Sequence, residues 1–269
     1  MERRGLDADG YIEREGSLGR IQPAFAELVA AARGRLVEAY GSRLHSAYLY
    51  GSVPRGTARH GVSDLDLLIA LHREPADEDR DTAEVLGRGL DQDFPAIDGV
   101  GILLYGKERL LSEGERYDLG WFLACLCTPL LGADLAEHLP RYRPDGLLAR
   151  ETNGDLAVLL PRWRARFEAA SEPAEFRRMN RFFSRHLVRT AFTLVMPEWG
   201  GWTSDLTESA EVFGRYHPER AAQLREAAAV ALAPVGDPAV ARRYLDDLGP
   251  WLAAEYTARH GTKAPRPEA

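Results

Sequence analysis

The first part of the chain alternates short apolar runs with polar breaks rich in Gly, Pro and charged residues. Runs of this length and setting are typical of buried strands. They predict strands at 46–51, 64–71 and 95–105. Apolar positions that recur at helical spacing predict helices at 21–40 and 76–90. The pattern therefore predicts an α/β domain, which we place at residues 1–112.

The second part of the chain has only helical patterning, with Gly and Pro at the breaks. The helices are predicted at 115–130, 153–170, 174–196, 204–215, 218–232 and 237–258. We find no strand signal beyond about residue 115, and the phrase Pro140–Gly146 reads as a linker inside this part. We therefore predict an all-α domain at 113–260 and a disordered tail at 261–269, which is short and contains proline.

Composition and charge exclude several classes of protein. The chain has 269 residues and a formal net charge of −7, which argues against a protein that coats nucleic acid. No stretch approaches the roughly 18 consecutive apolar residues that a membrane span requires. The charged N-terminus lacks the apolar core of a signal peptide. We expect a cytoplasmic protein with no membrane partner, and the sequence leaves its oligomeric state open.

The segment from Tyr50 to Ile69 contains two aspartates on one predicted strand. Because strand side chains alternate between faces, Asp64 and Asp66 point to the same side. Two carboxylates held that close repel one another, and a hard divalent cation with oxygen ligands removes the repulsion. Mg²⁺ typically combines one or two carboxylates with substrate phosphates. The pair is therefore a candidate metal site.

The residues around this pair are suited to a phosphate ligand. Gly51 lets a ligand approach the backbone closely, and Ser52 and Ser63 supply hydroxyl donors. Arg55 can neutralise phosphate oxygens through its planar guanidinium group. Together these residues predict a site that holds a metal ion and a triphosphate side by side.

A third acidic residue lies near the start of the third predicted strand. Asp98 is flanked by apolar residues and needs a partner there, which a metal ion would provide. It is our candidate for the third metal ligand or for the general base that deprotonates an attacking hydroxyl. Asp91 and Asp93 are the alternatives, although a solvated helix end explains both.

The order of these residues resembles a known family. Gly51-Ser52, a loop, and then Ser63-Asp-Leu-Asp-Leu67 is similar to the signature of the nucleotidyltransferase superfamily that includes DNA polymerase β. The resemblance implies a small mixed sheet on which Asp64, Asp66 and a later carboxylate hold two Mg²⁺ ions. It also implies transfer of a nucleoside monophosphate from a nucleoside triphosphate to a hydroxyl, with release of pyrophosphate.

A second resemblance lies in the helical part. The segments Phe122–Leu139 and Leu187–Phe192 resemble the helical domain of aminoglycoside adenylyltransferases, which attach AMP to streptomycin and spectinomycin. In that group an arginine of an L-x-R helix reaches the nucleotide phosphates, and Arg189 matches it. The resemblance implies ATP as co-substrate, a cleft between the two domains as active site, and a small-molecule acceptor such as an antibiotic.

One feature departs from that group. Arg177, Arg181, Arg185 and Arg189 recur every four residues in the predicted helix 174–196, so they share one face. A basic face repels a polycationic aminoglycoside, whereas it suits a less cationic or phosphorylated acceptor. The alternative is a solvated face that pairs with neighbouring glutamates.

Three alternative functions stay open. The first is a nucleotidyltransferase that modifies a tRNA or a protein, as toxin–antitoxin members of the superfamily do. The second is a degenerate protein that binds nucleotide without turnover. The third is a relative of the HEPN ribonucleases, suggested by the spacing of Arg181 and His186. Retention of Asp64, Asp66 and Asp98 favours an active enzyme.

Overall fold

One mixed β-sheet organises the first part of the fold. In the computed structural model, which describes residues 4–266, the order of the strands is β3-β2-β1-β4. Strand β2 runs antiparallel to β1 and parallel to β3, and β4 runs antiparallel to β1. The strands are β1 at Leu44–Tyr50, β2 at Leu65–Leu71, β3 at Val100–Gly106 and β4 at Thr128–Gly132. The predicted small mixed sheet is confirmed.

Two long helices cover one face of the sheet. They are α1 at Pro23–Tyr40 and α3 at Asp77–Asp93. The short helix α2, at Ser52–Arg55, lies between them along the chain. Alternate residues of β1 and β2, such as Leu49, Leu67 and Ile69, are fully buried in the core that these helices share with the sheet. The hydrophobic effect drives this packing, since each buried aliphatic side chain contributes about 1.5–3 kcal/mol.

The segment after β3 covers the opposite face of the sheet. It begins with α4 at Lys107–Leu110 and continues through wide helical turns at Arg116–Gly120 and Phe122–Leu126. A second core joins these turns to the sheet, and it includes Tyr48, Leu68, Leu123, Cys127 and Leu135. Because residues as late as Leu139 pack on this core, the sheet-containing unit spans 13–142 and extends well beyond the boundary expected at residue 112.

Strand β4 corrects one expectation. We predicted a helix over 115–130 and no strand after residue 115, but Thr128–Gly132 pairs with the free side of β1. The apolar run Leu126–Leu131 fits a helix or a strand equally well by its pattern, so only the partner decides. Pro129 lacks a backbone N–H and is compatible with an edge strand such as β4.

The third strand also starts later than predicted. The sequence indicated a strand over 95–105, whereas β3 begins at Val100. Residues 95–98 form turns, and Gly99 adopts φ 138°, which side-chain-bearing residues rarely adopt. Asp98 therefore lies in the turn before β3 and not within the strand.

The second unit is helical and comprises, among the described residues, 4–12 and 143–266. Its helices are α5 at Gly146–Asn153, α6 at Leu156–Ala169, α7 at Pro173–Trp199, α8 at Leu206–Tyr216, α9 at Ala221–Leu232, α10 at Pro238–Arg243 and α11 at Gly249–His260. The prediction of an all-α second part is confirmed for these residues.

The longest helix, α7, forms the centre of the helical unit. Met179, Phe183, Leu187 and Ala191 are buried, as their spacing predicted. The helix ends at Gly200, which adopts the left-handed conformation and donates its N–H to the carbonyl of Met196. Thus the first half of α7 contributes an apolar stripe to the core with the basic residues on other faces, whereas residues 190–196 are buried on every side.

Both ends of the described chain belong to the helical unit. The carbonyl of Arg4 accepts the N–H of Trp202 at 2.8 Å, and the Arg4 side chain donates to the carbonyl of Trp199. The predicted disordered tail begins at Gly261. In its described part, Lys263 donates its N–H to Gly154 O at 3.0 Å, and Arg266 forms an ion pair with Glu151. Residues 267–269 lie outside the described range.

Within residues 4–266, none of the helices combines the length and the apolar character that crossing a bilayer requires.

Asp79 joins the start of α3 to the end of α1 and gives the first testable prediction. Its side chain is fully buried, pairs with Arg43 and Arg73, and accepts the N–H of Ala76 at 2.9 Å. We expect Asp79→Ala to lower the free energy of unfolding by about 2–4 kcal/mol, because it removes charge-assisted hydrogen bonds. Urea denaturation measures this change. The control is Asp81→Ala, an exposed residue of the same helix, and equal losses in both variants would contradict the role of Asp79.

Candidate functional site

The site begins at the turn that follows β1. Gly51 has φ 79° and ψ −150°, a conformation that strongly favours glycine. The preceding residue, Tyr50, pairs with Asp66 across the sheet. This register brings Gly51 against the Asp66 carboxylate, and a Cβ at position 51 would overlap with Asp66 Oδ2. The missing side chain of Gly51 is thus what makes room for the carboxylate.

A second glycine lies on the other side of Asp66. Gly101 of β3 is its register partner, and a Cβ at that position would lie 2.9 Å from Asp66 Oδ1. The Asp66 carboxylate therefore occupies the space that would otherwise hold side chains at positions 51 and 101. Asp64 has a similar neighbour, because a Cβ at Gly99 would lie 3.7 Å from Asp64 Oδ1. Both aspartates are half-buried.

Ser63 closes the loop that leads into β2. Its Oγ accepts the N–H of Arg59 at 2.9 Å, and its own N–H donates to Arg59 O at 2.9 Å. The Ser63 carbonyl accepts the N–H of Asp98 at 3.1 Å. The hydroxyl proton of Ser63 can still be donated to a ligand. Ser63 thus fixes the loop geometry in addition to its predicted nucleotide-binding role.

Arg55 is oriented by an acidic residue that our sequence analysis did not select. Its Nη1 lies 3.2 Å from Glu15 Oε2, and the Glu15 side chain is 15% exposed. Glu15 is itself fixed by donation of its N–H to Cys125 O at 2.9 Å. A guanidinium group presents five N–H donors in a planar arrangement, a geometry that suits phosphate oxygens. Arg55 and Ser52 are both half-buried, as is Gly51 between β1 and α2.

The structure does not gather three carboxylates into a cluster. Asp98 is exposed in the turn before β3, next to Gly99, which lies beside Asp64. Within residues 4–266, no group of three or more His, Cys, Asp or Glu side chains is placed to hold a metal ion. The register position that faces Asp66 on β3 belongs to Gly101. Asp98 as third ligand or general base stays a prediction.

The donor set suits a hard cation with two protein carboxylates. Asp64 and Asp66 supply only oxygen, which Mg²⁺ prefers, and Mg²⁺ commonly completes its shell with water and substrate phosphates. The absence of a side chain at Gly101 leaves the Asp66 carboxylate uncrowded at Oδ1, where a Cβ would lie only 2.9 Å away. One ion held by Asp64 and Asp66 therefore fits these residues, whereas a second ion would need a further ligand such as Asp98.

The two cysteines do not supply a metal ligand or a nucleophile. Cys125 and Cys127 are both buried free thiols. Burial raises the pKa of Cys125 to about 12 and raises the pKa of Cys127 well above its usual range; the Asp66 carboxylate adds to the shift at Cys127. Both side chains are therefore protonated at neutral pH and serve as apolar packing.

The residues predicted on α7 lie in the helical unit. Arg189 and Arg177 are exposed, whereas Arg181 and Arg185 are half-buried. His186 packs edge-on against Trp163, with the ring centroids 5.2 Å apart. Burial lowers the pKa of His186 to about 4, so the ring is neutral at pH 7. A buried neutral histidine gives no support to the ribonuclease alternative.

Two contributors to the site were missed from sequence. Gly101 and Glu15 matter only through pairings that the fold creates, namely the β2–β3 register and the contact with Arg55. A signal for Gly101 did exist, because a glycine inside an apolar strand often marks a close approach of another group. Glu15 lies in a segment without periodic pattern, and nothing in the sequence marks it.

Comparison with known proteins gives one family match. Residues 31–109 match the family model of the nucleotidyltransferase domain. This range includes the second half of α1, the turn at Gly51, both aspartates of the pair and β3. No curated protein sequence matches the chain significantly.

Comparison with solved structures gives a relative that spans most of the fold. The crystal structure of spectinomycin adenyltransferase AAD(9) from Enterococcus faecialis with ATP and spectinomycin aligns with a TM-score of 0.51 at 14% sequence identity. The alignment covers 86% of this chain and 98% of that chain. At this identity the likeness establishes the shared fold.

Proposed function

We propose that the protein is a cytoplasmic, Mg²⁺-dependent enzyme that transfers AMP from ATP to a hydroxyl of a small-molecule acceptor such as an antibiotic. Residues 31–109 match a nucleotidyltransferase domain, and the chain is a transferase of that class. The observation that carries the proposal is the Asp66 carboxylate in the space left by Gly51 and Gly101, with Asp64 two residues earlier in the chain, near Gly99.

Each predicted residue has a role in this reaction. Gly51, Ser52, Arg55 and Ser63 bind the triphosphate through backbone and side-chain donors. Asp64 and Asp66 hold Mg²⁺, which would neutralise phosphate charge and orient the triphosphate.

The chemical step is an in-line displacement at the α-phosphorus. Asp98 accepts the proton of the acceptor hydroxyl, and the hydroxyl oxygen forms a bond to the α-phosphorus. The bond from that phosphorus to the bridging oxygen breaks, and its electron pair leaves with pyrophosphate. Arg55 stabilises the developing negative charge on the leaving group. The products are the adenylylated acceptor and pyrophosphate.

Two observations bear on the acceptor. The similar fold of spectinomycin adenyltransferase AAD(9), solved with ATP and spectinomycin, supports ATP as donor and makes aminocyclitol antibiotics the first acceptors to test. The arginines of α7 favour acceptors that carry little positive charge or that carry a phosphate. A screen should therefore range from spectinomycin to neutral and phosphorylated compounds.

The first experiment identifies the donor. Calorimetric titration of the full chain with ATP, GTP, CTP and UTP, each with Mg²⁺, should show Mg²⁺-dependent binding of ATP. The same titration of Asp64→Asn should show weaker binding or none. Absence of binding by any nucleotide would refute the proposal.

The second experiment identifies the acceptor. The chain, Mg²⁺-ATP and each candidate acceptor are incubated, and pyrophosphate release is measured together with the mass of the acceptor. An acceptor that gains the mass of AMP supports the proposal. Transfer of label from ATP to tRNA or protein, with no small molecule modified, would instead support the macromolecular alternative that the α7 arginines allow.

A binding protein without turnover is the second candidate function. A third carboxylate could have faced Asp66 from β3, but Gly101 occupies that position. The described residues also form no three-carboxylate cluster. This candidate predicts Mg²⁺-dependent ATP binding with no pyrophosphate release for any acceptor. Detection of an adenylylated product would exclude it.

Arg189 gives a prediction about nucleotide affinity. We expect Arg189→Ala to weaken ATP binding roughly tenfold, since a charge-assisted hydrogen bond contributes about 1.5–3 kcal/mol. The matched control is Arg177→Ala, an exposed arginine of the same helix that should leave the affinity unchanged. Calorimetric dissociation constants for both variants are the measurement. Equal affinity in Arg189→Ala and wild type would remove Arg189 from the nucleotide site.

A further inference from the structure

The outer edge of the sheet at β3 is open. In the described part of the chain β3 pairs only with β2, so its other side carries unpaired backbone groups. The N–H of Leu65 donates to Gly99 O at 3.0 Å, and in a parallel ladder this directs residues 99, 101, 103 and 105 towards β2. The N–H and C=O groups of Val100, Ile102 and Leu104 therefore point outwards.

An open groove runs along this edge. It has a volume of about 640 Å³ and lies between β3 and the adjacent side of α3. Its floor is apolar and includes Val100, Ile102 and Leu104. A long apolar strand with free backbone groups is a template for pairing with another strand, and proteins usually cover or charge such an edge. Strand β3 has no charged residue between Val100 and Gly106.

The wall of the groove carries four exposed charges in an alternating order. Along α3 they are Arg80, Glu84, Arg88 and Asp91, all on the stripe that lines the groove. From Arg80 to Asp91 the charges are positive, negative, positive and negative, so in the opposite direction along the helix each sign is reversed. A second copy that runs antiparallel therefore places its Asp91 against Arg80 and its Arg88 against Glu84, so that every pair attracts.

We propose that this groove is a self-association surface through which two copies of the chain join their β3 strands. The strands pair antiparallel about a two-fold axis near Ile102, which makes one continuous sheet across the dimer. The position of the axis follows from the packing of α3 on β3. Gly87 is close to the middle of the charged stripe, and a Cβ placed on it would lie 3.6 Å from Ile102 Cδ1. An isologous contact of this kind closes as a dimer and leaves no further open edge at β3.

The charge pattern argues for a second copy over an unrelated peptide. A foreign strand needs only the apolar floor and the backbone groups, and it has no reason to match the order of signs on α3. Self-complementarity under reversal is the property that a two-fold interface requires. Three of its four charged residues, Arg80, Glu84 and Arg88, were never assigned to the nucleotide site.

Sedimentation velocity over a concentration series tests the proposal on the full chain. We expect a reversible change from the mass of one chain to twice that mass. Arg80→Glu and Asp91→Arg each create two repulsive pairs by symmetry and should raise the dimer dissociation constant roughly tenfold. The double variant restores attraction with the signs exchanged and should return to within about threefold of wild type. Arg33→Glu, an exposed charge reversal on α1, is the control and should behave as wild type.

Amide hydrogen exchange distinguishes strand pairing from contact between helices alone. The N–H groups of Ile102 and Leu104 should gain protection as the concentration rises, while those of Gly101 and Leu103, already bonded within the sheet, should not change. A wild-type chain that stays monomeric at every concentration would overturn the proposal. So would a dimer that neither single variant weakens, or one in which the Ile102 and Leu104 amides exchange as in the monomer.

Discussion

Asp66→Asn should abolish turnover while the fold is retained. The substitution keeps the size of the side chain but removes the charge of the carboxylate that lies against Gly51 and Gly101 and that we propose as a Mg²⁺ ligand. Loss of a metal-ligating carboxylate costs several kcal/mol of transition-state stabilisation, so we expect kcat/KM to fall roughly a thousandfold or more. The measurement is pyrophosphate release with the acceptor identified by the screen.

Thermal unfolding separates this effect from damage to the fold. Without metal, Asp66→Asn should unfold at a temperature close to that of wild type, because asparagine has nearly the same size and shape as aspartate. With Mg²⁺-ATP, wild type should gain stability through ligand binding and the variant should gain much less. Asp81→Asn, an exposed change on α3, is the control and should behave as wild type. Full activity in Asp66→Asn would remove Asp66 from the metal site.

The strands that carry the aspartate pair were predictable from local pattern. The apolar run 46–51, the break at Gly51-Ser52 and the second run 64–71 correspond to β1 and β2 within about two residues at each end. Such runs are short, strongly apolar and bounded by turn residues, so local sequence decides them. The same holds for α1 and α7, whose apolar stripes are buried as the spacing indicates.

What the sequence could not predict depends on contacts between distant segments. Strand β4 exists because β1 offers it a free side, and the pattern of 128–132 alone fits a helix as well as a strand. The sheet-containing unit extends to Tyr142 because the residues after β3 cover its second face. Arg4 joins the helical unit through its bond to Trp199, which lies 195 residues later in the chain.

The candidate site shows the same division. The aspartate pair could be predicted because a period of two places both carboxylates on one side of a strand. The placement of Asp98 could not be predicted, since Pro95 and Gly99 shift the start of β3 past it. The role of Gly101 follows only from the β2–β3 register, which a sequence does not state. The aspartate pair is therefore better defined by sequence than the position of Asp98 or the contacts of Asp66.

Gly51→Ala should reduce activity strongly although it adds a single methyl group. Alanine at φ 79° is strained by about 1–2 kcal/mol, and its Cβ would overlap with Asp66 Oδ2. The carboxylate must move to make room. A displacement of about 1 Å in a catalytic constellation can cost on the order of a hundredfold in rate, so we expect kcat to fall by about that factor.

A graded series of glycine variants tests whether carboxylate position is the cause. Gly101→Ala brings a Cβ to 2.9 Å from Asp66 Oδ1, a milder conflict without backbone strain, and should give a smaller loss of kcat. Gly34→Ala on α1, where a Cβ meets nothing within 4 Å, should stabilise the helix and leave kcat unchanged. Titration of the Mg²⁺ requirement should rank the variants in the same order. If Gly51→Ala binds Mg²⁺-ATP and turns over as wild type does, the space between the two strands is not what positions Asp66 for catalysis.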